Sequence, residues 1–73
     1  MKPLSELREG ESAVVVVIEG GDEFTRRLAE MGVSTRTPLK VIRGRGPMIV
    51  EVKGHRLMLG RGMVPRIMVE PQQ

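Results

Sequence analysis

The 73-residue sequence has no cysteine, tryptophan or tyrosine, and it has only one phenylalanine and one histidine. Without thiols the chain forms no disulfide, thiolate metal site or cysteine nucleophile. With so few rings the core must be aliphatic, and six methionines are available to fill gaps in it. The longest apolar run, residues 13–18, is far shorter than the roughly 20 residues of a transmembrane helix. We therefore expect a cytoplasmic protein with no membrane insertion and no signal peptide.

Charge is unevenly distributed along the chain. Residues 1–35 carry seven acidic and four basic side chains, whereas residues 36–73 carry two acidic and eight basic ones. The basic half suits an acidic protein surface, a nucleic acid or a membrane surface as partner. Outward lysine and arginine side chains also keep a small domain soluble, so the charge distribution alone does not show whether any of these partners is bound.

The apolar pattern predicts a mainly β protein. Short strands are predicted at residues 13–18, 39–43, 48–52, 56–59 and 67–70, with the first buried on both faces and a frayed tail at residues 71–73. Tight glycine turns between the later strands favour a small, strongly curved sheet. The prediction is a barrel of about five strands with one inserted α-helix, in which residues 1–73 are a single domain with its core at about residues 4–70.

Residues 23–31 form the one predicted helix. Phe24, Leu28 and Met31 recur at i, i+4 and i+7, so they share the face that we expect to pack on the core. Asp22 is expected to cap the N-terminus of this helix, and Gly32 to end it in the left-handed conformation.

The sequence offers little for catalysis or for metal binding. The letters GGDEF at residues 20–24 also occur in a cyclic-dinucleotide cyclase signature, but the chain is too short to build the nucleotide pocket of such an enzyme. Serine and threonine residues lack a base partner, and the single His55 lies in a predicted turn, so no enzymatic activity is expected. The carboxylates of Glu19, Asp22 and Glu23 are best interpreted as a solvated acidic turn. We expect no cofactor, since ferrous iron or zinc is poorly supported by one imidazole.

Alternation along the strands leaves several large apolar side chains facing outward. They are Ile42, Ile49, Met58 and Met68, which we expect on adjacent strands. Such a patch often marks an interface, although the N-terminal turn or the helix is an equally good cover for it.

Two Gly-Arg-Gly tripeptides, at residues 44–46 and 60–62, are like the arginine-glycine repeats of RNA-binding proteins. Turn chemistry explains their glycines without a ligand. RNA-binding barrels also stack bases on strand aromatics, which this sequence lacks. A nucleic-acid-binding barrel is therefore kept as an alternative only.

A set of short motifs follows in a fixed order over about residues 4–70. They are Leu4, Ser5, Leu7 and Gly10; then Leu28, Glu30, Met31 and Gly32; then Val50, Val52, Gly54, Leu57 and Leu59; and finally Ile67 and Val69. In this order the chain resembles the FeoA family, ferrous iron transport protein A. Residues 60–65 depart from the family pattern, which has a short acidic helix there, so an irregular segment is expected.

The resemblance implies an SH3-like barrel and an accessory role in bacterial ferrous iron uptake, with docking on the cytoplasmic GTPase region of the membrane transporter. A similar module forms the C-terminal domain of iron-dependent transcriptional repressors. The alternative function, if the chain is a fragment, is therefore the SH3-like module of such a repressor. Association with a second copy is left open. As partner-binding residues we select the basic Arg26, Arg27, Arg43, Arg45, Lys53 and Arg56 and the apolar Ile49, Met58 and Met68.

Overall fold

Six antiparallel strands and one α-helix form the framework of the protein. The structure is a computed structural model, and it describes residues 1–72, so Gln73 in the predicted tail lies outside the described residues. The strands are β1 Lys2–Pro3, β2 Ser12–Ile18, β3 Pro38–Arg43, β4 Met48–Val52, β5 His55–Leu59 and β6 Ile67–Gln72. The helix, α1, spans Gly21–Glu30, and short 3₁₀ turns occupy Leu4–Glu6 and Val64–Arg66. The mainly β prediction with one helix is confirmed.

The strands form one sheet in the order β1-β6-β2-β3-β4-β5. The five predicted strands are all present, and the sixth, β1, has only two residues, too few for a sequence pattern. The predicted frayed tail is wrong for Pro71 and Gln72, because Pro71 pairs with Ala13 and Gln72 pairs with Ser12. The last strand of the chain therefore lies between two N-terminal strands.

One aliphatic core draws residues from β2 to β6, from the helix and from both 3₁₀ turns, so the sheet must curve around it. The predicted alternation is confirmed in β3, where Leu39 and Val41 are buried, and in β4, where every second side chain is buried. Removing such a side chain from water contributes about 1.5–3 kcal/mol. Leu57 on β5 is only half-buried, although alternation with the outward Met58 predicts an inward position.

Strand β2 contradicts the prediction that it is buried on both faces. A bulge between Val15 and Val17 breaks its pairing with β6. Because the extra residue shifts the alternation, Val16 and Val17 are 41% and 39% exposed, and the expected inward position of Val17 is wrong.

The helix begins earlier than predicted. Its N-cap is Gly20, with a φ of 144°, and no side chain caps it, so the expected capping role of Asp22 is wrong. Asp22 instead lies in the first turn, where its charge favours the helix dipole. A Cβ at Gly20 would lie 2.8 Å from the ring of Phe24, so both the φ angle and the close approach require glycine.

The rest of the helix prediction is confirmed. Leu28 is fully buried, while Phe24 and Met31 are half-buried against the core. Gly32 follows the helix with a φ of 95°, the left-handed conformation that was expected.

Candidate functional site

Three of the selected residues lie side by side across neighbouring strands. Arg43 on β3 is opposite Ile49 on β4, and Ile49 is opposite Met58 on β5. Arg43 is exposed, Ile49 is half-buried, and Met58 is 63% exposed. Directly opposed side chains on one face are close enough to interact. The row therefore places a positive charge beside two apolar side chains.

A second bulge creates this row. The pairing of β3 with β4 shifts between Val41 and Arg43, so the extra residue Ile42 is passed over and Arg43 takes the place opposite Ile49. The sequence prediction instead placed Ile42 beside Ile49. No local sequence signal announces the bulge, because it depends on which strand pairs with β3.

Arg56 lies on the same face of β5 as Met58, since side chains two residues apart point to the same side. It is opposite Glu51 on β4. Lys53 begins the turn between β4 and β5 and is also exposed. We name Arg43, Ile49, Lys53, Arg56 and Met58 together the outer strand face.

The basic residues of the outer strand face are not neutralised by ion pairs. Within residues 1–72 the ion pairs join the N-terminus to Glu70 and Arg26 to both Glu23 and Glu30. Even Glu51, opposite Arg56, makes none. The surface therefore keeps its positive charge for a partner.

Arg26 and Arg27, the two selected arginines of the helix, differ in their surroundings. The Arg26 guanidinium is 3.0 Å from the Glu30 carboxylate and 3.4 Å from that of Glu23. Arg27 is exposed and forms no ion pair in the described part of the chain. Arg26 is thus largely compensated within the helix, whereas Arg27 is not.

Met68 lies apart from the other selected apolar residues. It is on β6, opposite Pro3 of β1 and Val17 of β2. Strands β2 and β3 separate β6 from β4, so the expected placement of Met68 on a strand adjacent to Ile49 and Met58 is wrong. Met68 belongs instead to a second apolar area with Pro3 and the exposed Val16 and Val17.

Arg45 is exposed at the tip of the turn between β3 and β4, between Gly44 and Gly46. This turn approaches the second Gly-Arg-Gly segment, because a Cβ at Gly46 would lie 3.9 Å from Nη2 of Arg61. Arg61 was not selected from the sequence, although the predicted hairpin of β4 and β5 is the signal that could have found it, since the register that pairs Met48 with Leu59 leads to Gly46 and Arg61.

The outer strand face continues into a shallow, open depression of about 390 Å³. Its lining mixes apolar residues with polar and charged ones, the latter being Ser12, Lys40, Glu51, Lys53 and Gln72. Because the depression is shallow and carries charges of both signs, it suits contact with a polar surface better than enclosure of a small apolar ligand.

Within residues 1–72 no three histidine, aspartate or glutamate side chains are grouped as metal ligands would be, and the carboxylates near the glycine pair do not form such a group. The helices in this range are too short or too polar to cross a membrane.

Known proteins were compared with the chain by sequence and by structure. A protein of Methanocaldococcus jannaschii, described as a candidate Fe(2+) transport protein A, is 42% identical over 71 residues, which covers 96% of this chain and 87% of that protein. The crystal structure of an iron uptake regulatory protein (FeoA) superimposes with a TM-score of 0.91 and 35% identity, covering 97% of this chain and 96% of that one.

Two other solved structures have the same fold as this chain. FeoA of Stenotrophomonas maltophilia, crystallised with zinc and described as a prokaryotic SH3 domain protein, has a TM-score of 0.79 and 30% identity, over 96% of this chain and 91% of that one. The expected SH3-like fold is thereby confirmed. A manganese-dependent transcriptional repressor has a TM-score of 0.89 and 25% identity, but the match covers 97% of this chain and only 41% of the repressor.

The family model gives the last comparison. The model described as the FeoA domain matches residues 2–71, nearly the whole chain. Together with the relative at 42% identity, this match shows that the chain belongs to the FeoA domain family.

Proposed function

We propose that the chain is a non-enzymatic, cytoplasmic accessory protein of ferrous iron uptake, and that it docks on the cytoplasmic GTPase region of a membrane iron transporter. The family and the iron-transport descriptions of its relatives support the iron-uptake part. The outer strand face supports the docking part.

The observation that carries the docking proposal is the row Arg43, Ile49 and Met58. Arginine, methionine and other large side chains are enriched in the centres of protein interfaces, where they combine apolar contact with directed hydrogen bonds. Met58 leaves 63% of its surface in water, so a partner that covers it removes apolar surface from solvent. The arginine beside it selects a partner with a carboxylate next to an apolar side chain.

The charged residues around this row act mainly before contact. Lys53, Arg56 and the nearby Arg45 carry uncompensated charge, which speeds the encounter with an acidic surface more than it prolongs the complex. Arg27 adds positive charge from the helix. Arg26 adds little to the attraction, because its charge is already compensated by the ion pairs with Glu23 and Glu30. Met68, on β6, is separated from the row by β2 and β3, so we expect it to add little to the contact.

The experiment is a binding assay with the purified cytoplasmic region of the transporter, immobilised, and this chain in solution. We expect Met58→Ala and Arg43→Gln each to weaken binding by about tenfold, since a residue at the centre of an interface contributes more than about 1 kcal/mol. Met68→Ala is the matched control for Met58, and Arg26→Gln is the matched control for Arg43. Neither control should change the affinity more than about twofold.

Two outcomes contradict parts of this proposal. If reversing Arg26, Arg27, Arg43 and Arg45 together leaves binding unchanged, the electrostatic part fails. If Met58→Ala and Met68→Ala weaken binding equally, the outer strand face is not the centre of the interface. Absence of any binding to the transporter region rejects the partner itself.

The likeness to the manganese-dependent repressor favours a second candidate function. In it, the chain is the SH3-like module of a longer metal-dependent repressor. The discriminating observation is the reading frame around this sequence: a DNA-binding segment encoded in frame supports the repressor module, and a separate gene beside a membrane GTPase gene supports the accessory protein.

A further inference from the structure

The two Gly-Arg-Gly turns, far apart in the sequence, meet in space. A Cβ at Gly46 would lie 3.9 Å from Nη2 of Arg61 and 4.0 Å from Nη2 of Arg43. Two guanidinium groups, from the end of β3 and from the segment after β5, therefore reach the same point over Gly46. Arg45 stands in the same turn, exposed, between Gly44 and Gly46.

No carboxylate neutralises this group of charges. None of Arg43, Arg45 and Arg61 belongs to an ion pair within residues 1–72. Glu9 lies beside the first turn, where its carboxylate accepts a long hydrogen bond of 3.5 Å from the N–H of Gly44. Like charges held close together repel each other, and an anion bound between them removes that cost.

We propose that Arg43, Arg45 and Arg61 form an oxyanion site that binds the phosphate groups of a small phosphorylated ligand. Guanidinium groups match phosphate because each offers a planar pair of N–H donors, and a phosphate has enough oxygen atoms to accept from two arginines at once. Gly46 keeps the point between Arg43 and Arg61 free of a side chain, so the ligand can approach the backbone there.

A small ligand fits this surface better than RNA does. RNA-binding surfaces stack bases on rings, whereas the row beside Arg43 is aliphatic, with Ile49 and Met58. The single phenylalanine, Phe24, is half-buried and lies under the Arg66 guanidinium, which is 5.5 Å from the ring centre. The site shares Arg43 with the outer strand face, but Arg61 lies outside that face, so Arg61→Gln tests the anion site separately from the proposed docking function.

The test is a titration of the intact chain with inorganic pyrophosphate at low ionic strength, followed by the amide NMR signals of residues 44–46 and by calorimetry. We expect saturable binding that Arg61→Gln and Arg43→Gln each weaken by about tenfold, as loss of a hydrogen bond between charged groups does. Arg27→Gln is the matched control, since it removes the same charge from an exposed, unpaired arginine of the helix. Glu9→Gln should strengthen binding by about twofold, because it removes a negative charge beside the first turn.

Two further arms use vesicles containing phosphatidic acid and a single-stranded RNA oligomer, with the same variants. Absence of saturable pyrophosphate binding overturns the site, and so does equal weakening by Arg27→Gln and Arg61→Gln, which would indicate unspecific attraction. Binding to vesicles or RNA but not to pyrophosphate overturns the assignment to a small ligand. Circular dichroism of each variant establishes that the fold is intact.

Discussion

The backbone N–H of Val33 donates a hydrogen bond of 2.8 Å to the carbonyl of Leu28, and both side chains are completely buried. The N–H of Gly32 donates a hydrogen bond of 3.0 Å to the carbonyl of Ala29, within the loop that the first hydrogen bond closes. Together the two bonds form the Schellman ending of a helix, with its apolar contact between the residue after the glycine and the last turn. Leu28 and Val33 thus belong both to the helix ending and to the core.

Replacing Gly32 by alanine should lower the free energy of unfolding by about 1–2 kcal/mol. The backbone must keep a left-handed φ there, and this conformation is less favourable by about that amount for a residue with a Cβ. The φ angle here is 95°, and the nearest atom to an added Cβ, Nε2 of His55, is 4.0 Å away. The loss therefore comes from the backbone rather than from a clash. Urea denaturation followed by circular dichroism measures it.

The control is Gly62→Ala, where an added Cβ meets no atom within 4 Å and the φ angle is not left-handed. It should change stability by no more than about 0.5 kcal/mol. Equal losses for the two variants would show that the ending of the helix does not need glycine.

Lys53→Asn should raise the free energy of unfolding by up to about 1 kcal/mol, since asparagine tolerates a left-handed φ better than lysine in a two-residue hairpin turn. Lys53 has a φ of 51°, and Gly54, which follows it, has 86°. The same change removes a charge from the outer strand face, so it should slow association with the transporter region. A variant that gains stability and loses association rate separates the two roles; Gly54→Ala, which adds strain without removing charge, is the control.

Met58→Ala should cost little stability, below about 0.5 kcal/mol, because the side chain is already in water. Leu59→Ala, one residue further along β5, should cost about 2–5 kcal/mol, because it leaves a cavity in the core. Met58 is 63% exposed and Leu59 is 0% exposed, so the two faces of one strand are compared directly. Thermal unfolding and transporter binding, measured together, check that only Met58→Ala weakens binding while the fold persists.

Arg26→Gln should lower stability by less than about 1 kcal/mol, since exposed helix ion pairs contribute a few tenths of a kcal/mol each. The Arg26 side chain is 62% exposed, so at about 1 M salt, where the Debye length is about 3 Å, the loss should disappear. Arg27→Gln serves as the control and should change stability at neither salt concentration. A loss for Arg26→Gln that persists in high salt would mean that packing of its aliphatic stem, rather than charge, is responsible.

The alternating pattern of the strands was enough to predict the fold class. Valine and leucine residues at every second position, such as Leu39, Val41 and Val50, give each strand one apolar face, which must be buried. It did not reveal either bulge, since the position of a bulge is decided by the partner strand. The helix ends show the same limit. Asp22 is a good cap by residue type, yet Gly20 and Gly21 turn the chain so that the helix has begun before it.

The candidate site was predictable by residue type and only partly by position. Ile49 and Met58 were expected on adjacent strands, and the register of β4 and β5 places them opposite each other, whereas only the bulge in β3 brings Arg43 into their row. The i, i+4 spacing of Glu23 and Arg27 predicts an ion pair between them, but Glu23 forms its ion pair with Arg26 instead. Arg61 was missed although the predicted hairpin of β4 and β5 locates it, because the register that pairs Met48 with Leu59 leads, two residues further, to Gly46 and Arg61.

Strand β6 lies between β1 and β2, although it is made last. The hairpins of β3, β4 and β5 join neighbours in the chain and can close early, because short loops lose little entropy. The pairing of β2 with β6 spans most of the chain and must close late. During synthesis, β3 can pair with one edge of the valine-rich β2, whereas the other edge stays unpaired until residues 67–72 have been made, so that edge is open to aggregation while the chain grows.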